Sequence, residues 1–430
     1  MSTSTTIQPE NRKNFLSPIV IIGALFFIFG FVTWANSTLI PYLAMACELT
    51  TAEAVLVTFA FYISYAVMAF PSSWVLKKTG FKNGMMVGLL IMAVGALLFI
   101  PAAKSRNYNI FLLGLFIIGT GLALLQTASN PYITILGPIE SAAKRISIMG
   151  VCNKAAGALA PLILGAIVLK DSSALEAKLS TMDAVQKAAE LDALASRVVL
   201  PYVVIAIVLV LLGVFIYISH LPEVKAEGEE GAESVSGDFV QRKSIFDYPY
   251  LWLGFISIFL YVGVEVMAGD IIQIYGASIG ISLDVAKHFT TYTMIGMLVG
   301  YLVGIFTIPK YLSQKGVLKL SAILGLLFSL CAIFTTGFTS VLFIALLGLA
   351  NALIWPAIWP LAIDGLGKFT KTGSALLIVG IAGGGILPRV WASLGEKIGL
   401  QQAFWIMIPC YLFIYFFAVS GHKIGRSVKA

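Results

Sequence analysis

The sequence predicts an all-α membrane protein of twelve transmembrane helices arranged as two six-helix repeats, and three observations predict it. The 430 residues are 59% hydrophobic and 11% charged, with a mean hydropathy of +0.94, a composition that soluble domains do not reach. Twelve apolar stretches approach or exceed the roughly 20 residues that a helix needs to cross about 30 Å of hydrocarbon. One strongly polar internal segment, residues 221–247, divides those stretches six and six.

The first six spans run over 17–41, 54–77, 83–102, 108–137, 146–169 and 199–220. The second six run over 248–276, 287–309, 317–337, 339–364, 372–395 and 402–421. The run that opens the first span follows Arg12 and Lys13 and continues through Asn36 and Pro41. That is too long for the apolar core of a signal peptide, so it reads as a span. The expected organisation is a cytoplasmic tail (1–16), a six-helix bundle (17–220), a flexible cytoplasmic linker (221–247), a second bundle (248–421) and a cytoplasmic tail (422–430). Acidic then basic residues with few large apolar ones give the linker its reading.

Charge sets the orientation. With the N-terminus inside, inner loops collect Lys77, Lys78, Lys82, Lys144, Arg145, Lys225, Arg242, Lys243, Lys310, Lys315 and Lys319 among others. Half of the outer basic residues fall in one long loop, 170–197, where charge counts for little. Both termini are therefore expected in the cytoplasm, on an inner membrane. The net charge of +7 reflects this topology and implies no nucleic-acid partner. Cys47, Cys152, Cys331 and Cys410 are scattered, without disulfide or metal-ligand spacing, so no metal and no cofactor is expected.

The two halves carry a faint internal repeat. Pro18 and Gly23 recur as Pro249 and Gly254, displaced by 231 positions. Gly121-Leu122-Ala123 recurs as Gly348-Leu349-Ala350, and Ser147, Gly157 and Pro161 recur as Ser374, Gly384 and Pro388, all displaced by 227. A shared register across spans four, five, ten and eleven indicates a 6+6 duplication. Two parallel six-helix repeats with a long inner linker are the architecture of major facilitator transporters, which bind substrate and coupling ion near the midplane between the halves. In the outer loop, SALEAKLSTMDAVQKAAELDALAS has helical apolar spacing and reads as an amphipathic surface helix without chemistry of its own.

Polar residues inside spans are the functional candidates, because ionisable groups in hydrocarbon persist where they line a cavity or meet a partner. Span five, ISIMGVCNKAAGALAPLILG, places Asn153 and Lys154 at its centre. Span seven, FLYVGVEVMAGDIIQIYG, holds Glu265 and Asp270, the carboxylates lying well inside a span. They are separated by about 140° on an ideal helix and are not expected to face one cavity squarely. Lys154, Glu265 and Asp270 form the expected ion-coupling set, in which desolvation and mutual pairing tune proton exchange. A static Lys154–carboxylate bridge is the alternative.

The expected substrate-binding set is Trp34, Asn36, Gln126, Asn130, Asn153, Tyr261, Asn351 and Trp355. Amides offer both donor and acceptor, as a neutral polyol requires, and rings pack against the C–H faces of sugars. Each amide could equally join helices by hydrogen bonds of about 0.6–2 kcal/mol. Pro356 and Pro360 are expected to break span ten, and Gly383-Gly384-Gly385 to loosen span eleven. Arg389 is expected to snorkel or meet a carbonyl, and His288 to lie at the surface.

Four stretches resemble the fucose:proton symporter family of the major facilitator superfamily, in its glucose/galactose permease branch. They are FFIFGFVTWANSTLIPYL (26–43), GLALLQTASNPYITILGP (121–138), FLYVGVEV (259–266) and NALIWPAIWPLAIDGLGKFTKTGSALLIVGIAGGGILP (351–388). The resemblance implies a twelve-helix monosaccharide importer driven by a cation gradient. It also implies a departure. The fucose branch uses an aspartate and a glutamate where this chain has Ser37 and Gln126, so that pair is missing here. Gln126 resembles glucose-type members, while Asn153-Lys154 with Glu265 and Asp270 resembles N-acetylglucosamine-type permeases of the family.

The reading is a monomeric, cation-coupled importer of a monosaccharide of the glucose, galactose or N-acetylglucosamine class, with protons preferred to sodium because Lys154 repels a nearby cation. Sodium held by Asp270 and neutral oxygens is the alternative. A drug:proton antiporter on the same fold is disfavoured by the clustered amides. An enzyme is disfavoured because no His, Cys or carboxylate constellation has catalytic spacing.

Overall fold

The computed structural model describes residues 12–135, 142–219, 221, 243–308, 311–366 and 369–426. Within these, the side chains of 12–17, 130, 131, 133–135, 142–145, 370 and 371 lie outside the description. The described residues form helices and turns without strands.

The first half comprises α1 (Arg12–Trp34), α2 (Asn36–Ala46), α3 (Thr51–Ala54), α4 (Leu56–Leu97), α5 (Phe99–Ser105), α6 (Tyr108–Ile135), α7 (Ala142–Val168), α8 (Ser172–Leu179), α9 (Ala184–Ser196) and α10 (Val199–Ile218). The second comprises α11 (Pro249–Gly269), α12 (Ile272–Ser278), α13 (Leu283–Ala286), α14 (Phe289–Thr307), α15 (Gln314–Phe334), α16 (Gly337–Asn351), α17 (Ile354–Ile363), α18 (Thr370–Val379), α19 (Gly383–Ile398) and α20 (Met407–Val419). Among the described residues, 11 helical stretches are long and apolar enough to cross a membrane. One of them, Thr51–Ser105, has 55 residues. At 1.5 Å per residue that is roughly 80 Å, more than twice the hydrocarbon thickness. It is interrupted at Gly80, where φ is 75° and ψ 176°, a positive-φ conformation that a Cβ would strain.

Helix breaks follow local chemistry. Span ten breaks at Ala352 and Leu353, not at the two prolines, and Pro360 lies inside α17. Pro356 accounts for this: its ring clashes with the carbonyl four residues earlier, which belongs to Ala352. The triglycine of span eleven also differs from expectation. Gly383, Gly384 and Gly385 are helical and buried, and the loosened turn is the 3-10 segment Gly380–Ala382 just before them. A Cβ at Gly383 would stand 1.9 Å from the Phe259 carbonyl oxygen, and one at Gly385 2.9 Å from the Phe59 Cα. The glycines serve close approach of α19 to α11 and α4, the role that small residues have where lipid gives helices no hydrophobic drive to associate.

The outer segment forms two helices, α8 and α9. Asp183 caps α9 by accepting from the backbone N–H groups of Val185 and Gln186, which satisfies donors left open at a helix start. The apolar face of α9 buries Leu191, Leu194 and Ala195, and the Tyr42 hydroxyl donates to the Leu194 and Ala195 carbonyls. Most of the linker lies outside the described residues. In its last part Ser244 caps a 3-10 turn, Ile245–Asp247, that leads into α11.

Between described residues, the hydrogen bonds joining the two halves lie at mid-depth or at the end opposite Arg12. Arg389 donates to the Ala52 carbonyl, and Lys287 to the Leu169 carbonyl at 3.4 Å. Ser172 donates to Asp284 at 3.4 Å, Thr291 to the Ala158 carbonyl at 3.0 Å, and Gln273 to Ser37 at 3.2 Å. Lys154–Glu265 completes the set. The halves are thus closed over the centre at that end.

Candidate functional site

The centre is built around the end of α11. The helix loosens at Asp270 and Ile271, whose N–H groups both reach the Val266 carbonyl, at 2.7 and 3.4 Å. The neighbouring carbonyls of Ala268 and Gly269 accept the hydroxyls of Thr293 (2.8 Å) and Thr290 (2.6 Å) from α14. A broken membrane helix needs such partners, because no water is present to satisfy freed backbone groups. The two carboxylates of span seven have different surroundings: Glu265 accepts from Lys154, while both Asp270 carboxyl oxygens are buried without a donor among the described residues. Glu265 and Asp270 are 8% and 0% exposed, and Glu265 and Lys154 act electrostatically on Asp270.

Lys154 enters from α7. Its Nζ lies 2.8 Å from Glu265 Oε1 and 4.6 Å from the centre of the Trp34 ring. One cation therefore joins the halves by a charge-assisted hydrogen bond and is faced by an aromatic ring that attracts it. Trp34, 2% exposed, is a slab between the halves. A Cβ at Gly157 of α7 would lie 2.4 Å from its Cδ1, and one at Gly269 of α11 2.1 Å from its Cζ3. Glycine at both positions leaves room for the ring.

The amides surround this centre unequally. Asn153, beside Lys154, is half-buried and donates to the Phe26 carbonyl at 3.3 Å. Gln126, also half-buried, donates to the Tyr65 hydroxyl at 3.0 Å. Asn36 is 1% exposed, and its Nδ2 has no partner among the described residues. Asn351, at the end of α16, accepts from the Tyr411 hydroxyl at 2.8 Å, which ties it into its own half. The side chain of Asn130 lies outside the described residues. Tyr261 and Trp355 have ring centres 6.4 Å apart, and Trp355 stacks on Trp359 at 5.3 Å. Trp34, Lys154 and Glu265 are thus brought together, while Asn153 is held by the Phe26 carbonyl and Gln126 and Asn351 each by a tyrosine.

Sequence reasoning did not single out Gln273, Ser37 as a partner, or Tyr62 and Tyr65. Gln273 is fully buried and bonds Ser37 across the halves. Its only sequence signal was its position three residues after Asp270.

Fold and site describe a multi-pass membrane transporter whose halves meet across a polar, charged centre. The Major Facilitator Superfamily model matches residues 22–387, and the chain belongs to that superfamily of transporters; it is not an enzyme. The chain is 32% identical over 419 residues to a glucose/galactose transporter of Brucella abortus biovar 1 (strain 9-941), covering 97% of each. It is 28% identical to an L-fucose-proton symporter of Escherichia coli (strain K12), covering 94% of this chain and 93% of that one. Among solved structures, the transporter FucP in the outward conformation matches with a TM-score of 0.71 at 27% identity, covering 94% of this chain and 98% of that one. A D-xylose-proton symporter matches in fold, with a TM-score of 0.70 at 16% identity, over 96% of this chain and 99% of that one.

Proposed function

We propose that this chain imports a monosaccharide of the glucose, galactose or N-acetylglucosamine class by proton-coupled symport, working as a monomer through alternating access. The observation that carries the reading is the Lys154–Glu265 pair, which spans the two halves beside Asn153 and Trp34. A charge pair across that interface is a contact that alternating access must remake in each cycle. The names of the relatives at 32% and 28% identity support the sugar. Taking Thr51–Ser105 as two crossings on either side of Gly80 gives twelve spans in a 6+6 arrangement, with both termini in the cytoplasm of an inner membrane. In that orientation the closed end of the bundle is the outer one.

In this reading Trp34, Asn36, Gln126, Asn130, Asn153, Tyr261, Asn351 and Trp355 bind the sugar, and Lys154, Glu265 and Asp270 couple it to the ion. Uptake of labelled glucose, galactose and N-acetylglucosamine into proteoliposomes, under proton or sodium gradients imposed separately, tests both assignments. Accumulation of one of these sugars under the proton gradient alone is expected. Accumulation under sodium alone replaces the ion, and uptake that only equilibrates makes the chain a uniporter.

The outer closure has its own test. A guanidinium–carbonyl hydrogen bond contributes about 1.5–3 kcal/mol, so Arg389→Leu is expected to raise the outward-open population by roughly tenfold or more. Ala52→Cys reports this, because it keeps the backbone carbonyl that Arg389 meets and its side chain is buried in the closed state. A membrane-impermeant thiol reagent added outside should label it correspondingly faster in the Arg389→Leu background.

A further inference from the structure

We propose that Asp270 and Gln273 form the proton site of this carrier, separate from the Lys154–Glu265 pair. Asp270 binds the proton at a carboxyl oxygen, and Gln273 Oε1 accepts the resulting O–H. The inference rests on the coupled-transport reading above and assigns its ion to one place.

Hydrogen bonding fixes the Gln273 amide. Its Nε2 lies 3.2 Å from Ser37 Oγ and 3.0 Å from Thr290 Oγ1. Each hydroxyl already donates its one hydrogen to a carbonyl, Ser37 to Trp34 at 2.7 Å and Thr290 to Gly269 at 2.6 Å. Both can therefore only accept from Gln273, which sets Nε2 toward them and leaves Oε1 as a bare acceptor. Gln273 Oε1 and both Asp270 carboxyl oxygens are buried without a donor among the described residues, and Asp270 and Gln273 are each 0% exposed.

Three acceptors and no donor, two of them on a carboxylate, form an arrangement that is costly to bury as it stands. One proton removes the cost: it neutralises the carboxylate and converts it into a donor, three residues along the chain from an acceptor that lacks one. A sodium ion fits less well, because hard cations gather about six oxygens and three are free here.

The charged and titratable groups acting on Asp270 are Glu265 on its own helix, Lys154 of α7, and the Tyr62 hydroxyl of α4. Lys154 is already engaged by Glu265 at 2.8 Å. The Lys154–Glu265 pair is neutral as a unit and leaves the Asp270 charge to the proton. Gln273 also links loading to closure, because its bond to Ser37 crosses between the halves at the closed end. Closure sets the amide in the orientation that receives the Asp270 O–H. The proton enters from the outer solution, is held as that O–H through occlusion, and leaves to the inner solution, with no covalent change in the sugar.

The test compares the wild-type chain with Asp270→Asn and Gln273→Leu in proteoliposomes. Asp270→Asn is expected to lose proton-driven accumulation, and its sugar exchange to lose its dependence on pH. Gln273→Leu is expected to accumulate at least roughly tenfold less, because it removes the acceptor for the Asp270 O–H together with the bonds to Ser37 and Thr290. Accumulation by Asp270→Asn at the wild-type level overturns the proposal, as does wild-type accumulation driven by sodium and not by protons. Infrared difference spectra between acid and alkaline pH separate the proton site from the sugar reading, since they need no substrate. A protonated-carboxyl C=O band present in the wild type, absent in Asp270→Asn and shifted in Gln273→Leu supports the site even if the sugar class is wrong. Retention of the band in Asp270→Asn overturns it.

Discussion

Lys154→Ala is expected to reduce gradient-driven sugar accumulation by about 100-fold or more, and Glu265→Gln to do nearly the same. Removing one partner of a buried pair leaves the other charge uncompensated and costs about 3–5 kcal/mol, here in the state where the halves are closed. The 2.8 Å contact between α7 and α11 is an ion pair across the interface, and Trp34 over Lys154 at 4.6 Å does not replace a counter-charge. The double variant Lys154→Ala with Glu265→Gln is expected to lose no more than either single one, because it leaves no lone charge behind. The measurement is initial uptake per transporter in the membrane, with abundance determined on the same vesicles. If the double variant loses the product of the two single effects, the residues act independently and the pair has no part in closure.

Gly269→Ala is the second large effect, expected to hold the transporter open at the outer end. The added Cβ would stand 2.1 Å from Trp34 Cζ3, a separation that non-bonded atoms do not adopt. The opposite edge of the ring is blocked by α7, where Gly157 already sits at the limit. With no room on either side, α11 must move off the ring, and overpacking of this kind costs about 1–3 kcal/mol or more. Transport is expected to fall by about tenfold or more. Labelling of Ala52→Cys from outside should rise at the same time, which a simple folding defect would not produce. Trp34→Phe in the same chain removes the edge that collides and is expected to restore closure, with a weaker attraction of the ring for Lys154.

The two predictions rest on information of different origin. Lys154 and Glu265 were legible in the sequence, because a charge within an apolar run is anomalous wherever the run goes, and span seven held the carboxylates deep enough to answer it. Which carboxylate does so was not legible. An ideal helix sets Glu265 and Asp270 apart, but α11 loosens at Asp270, and the threonines of α14 that stabilise the break lie 20 or more positions further along the chain. Gly269 and Gly157 carried no sequence signal as neighbours of Trp34, since glycine is frequent in membrane helices for many reasons. The triglycine of α19 was misread for the same cause, as a loosened turn and not as a packing surface.

Sequence alone determined the solvent, the helical class and the inventory of groups able to bear charge in hydrocarbon. Those follow from composition and local spacing, because each helix must satisfy its own backbone in lipid whatever its neighbours are. Tertiary structure decided which of those groups meet: Lys154 with Glu265 and Trp34, Gln126 with Tyr65, Asn351 with Tyr411, and Gln273 with Ser37. Lipid offers no hydrophobic force to bring helices together, so close packing at small residues and a few polar contacts choose the partners. Those choices join positions 60 or more residues apart, a separation over which no local pattern in the chain carries information.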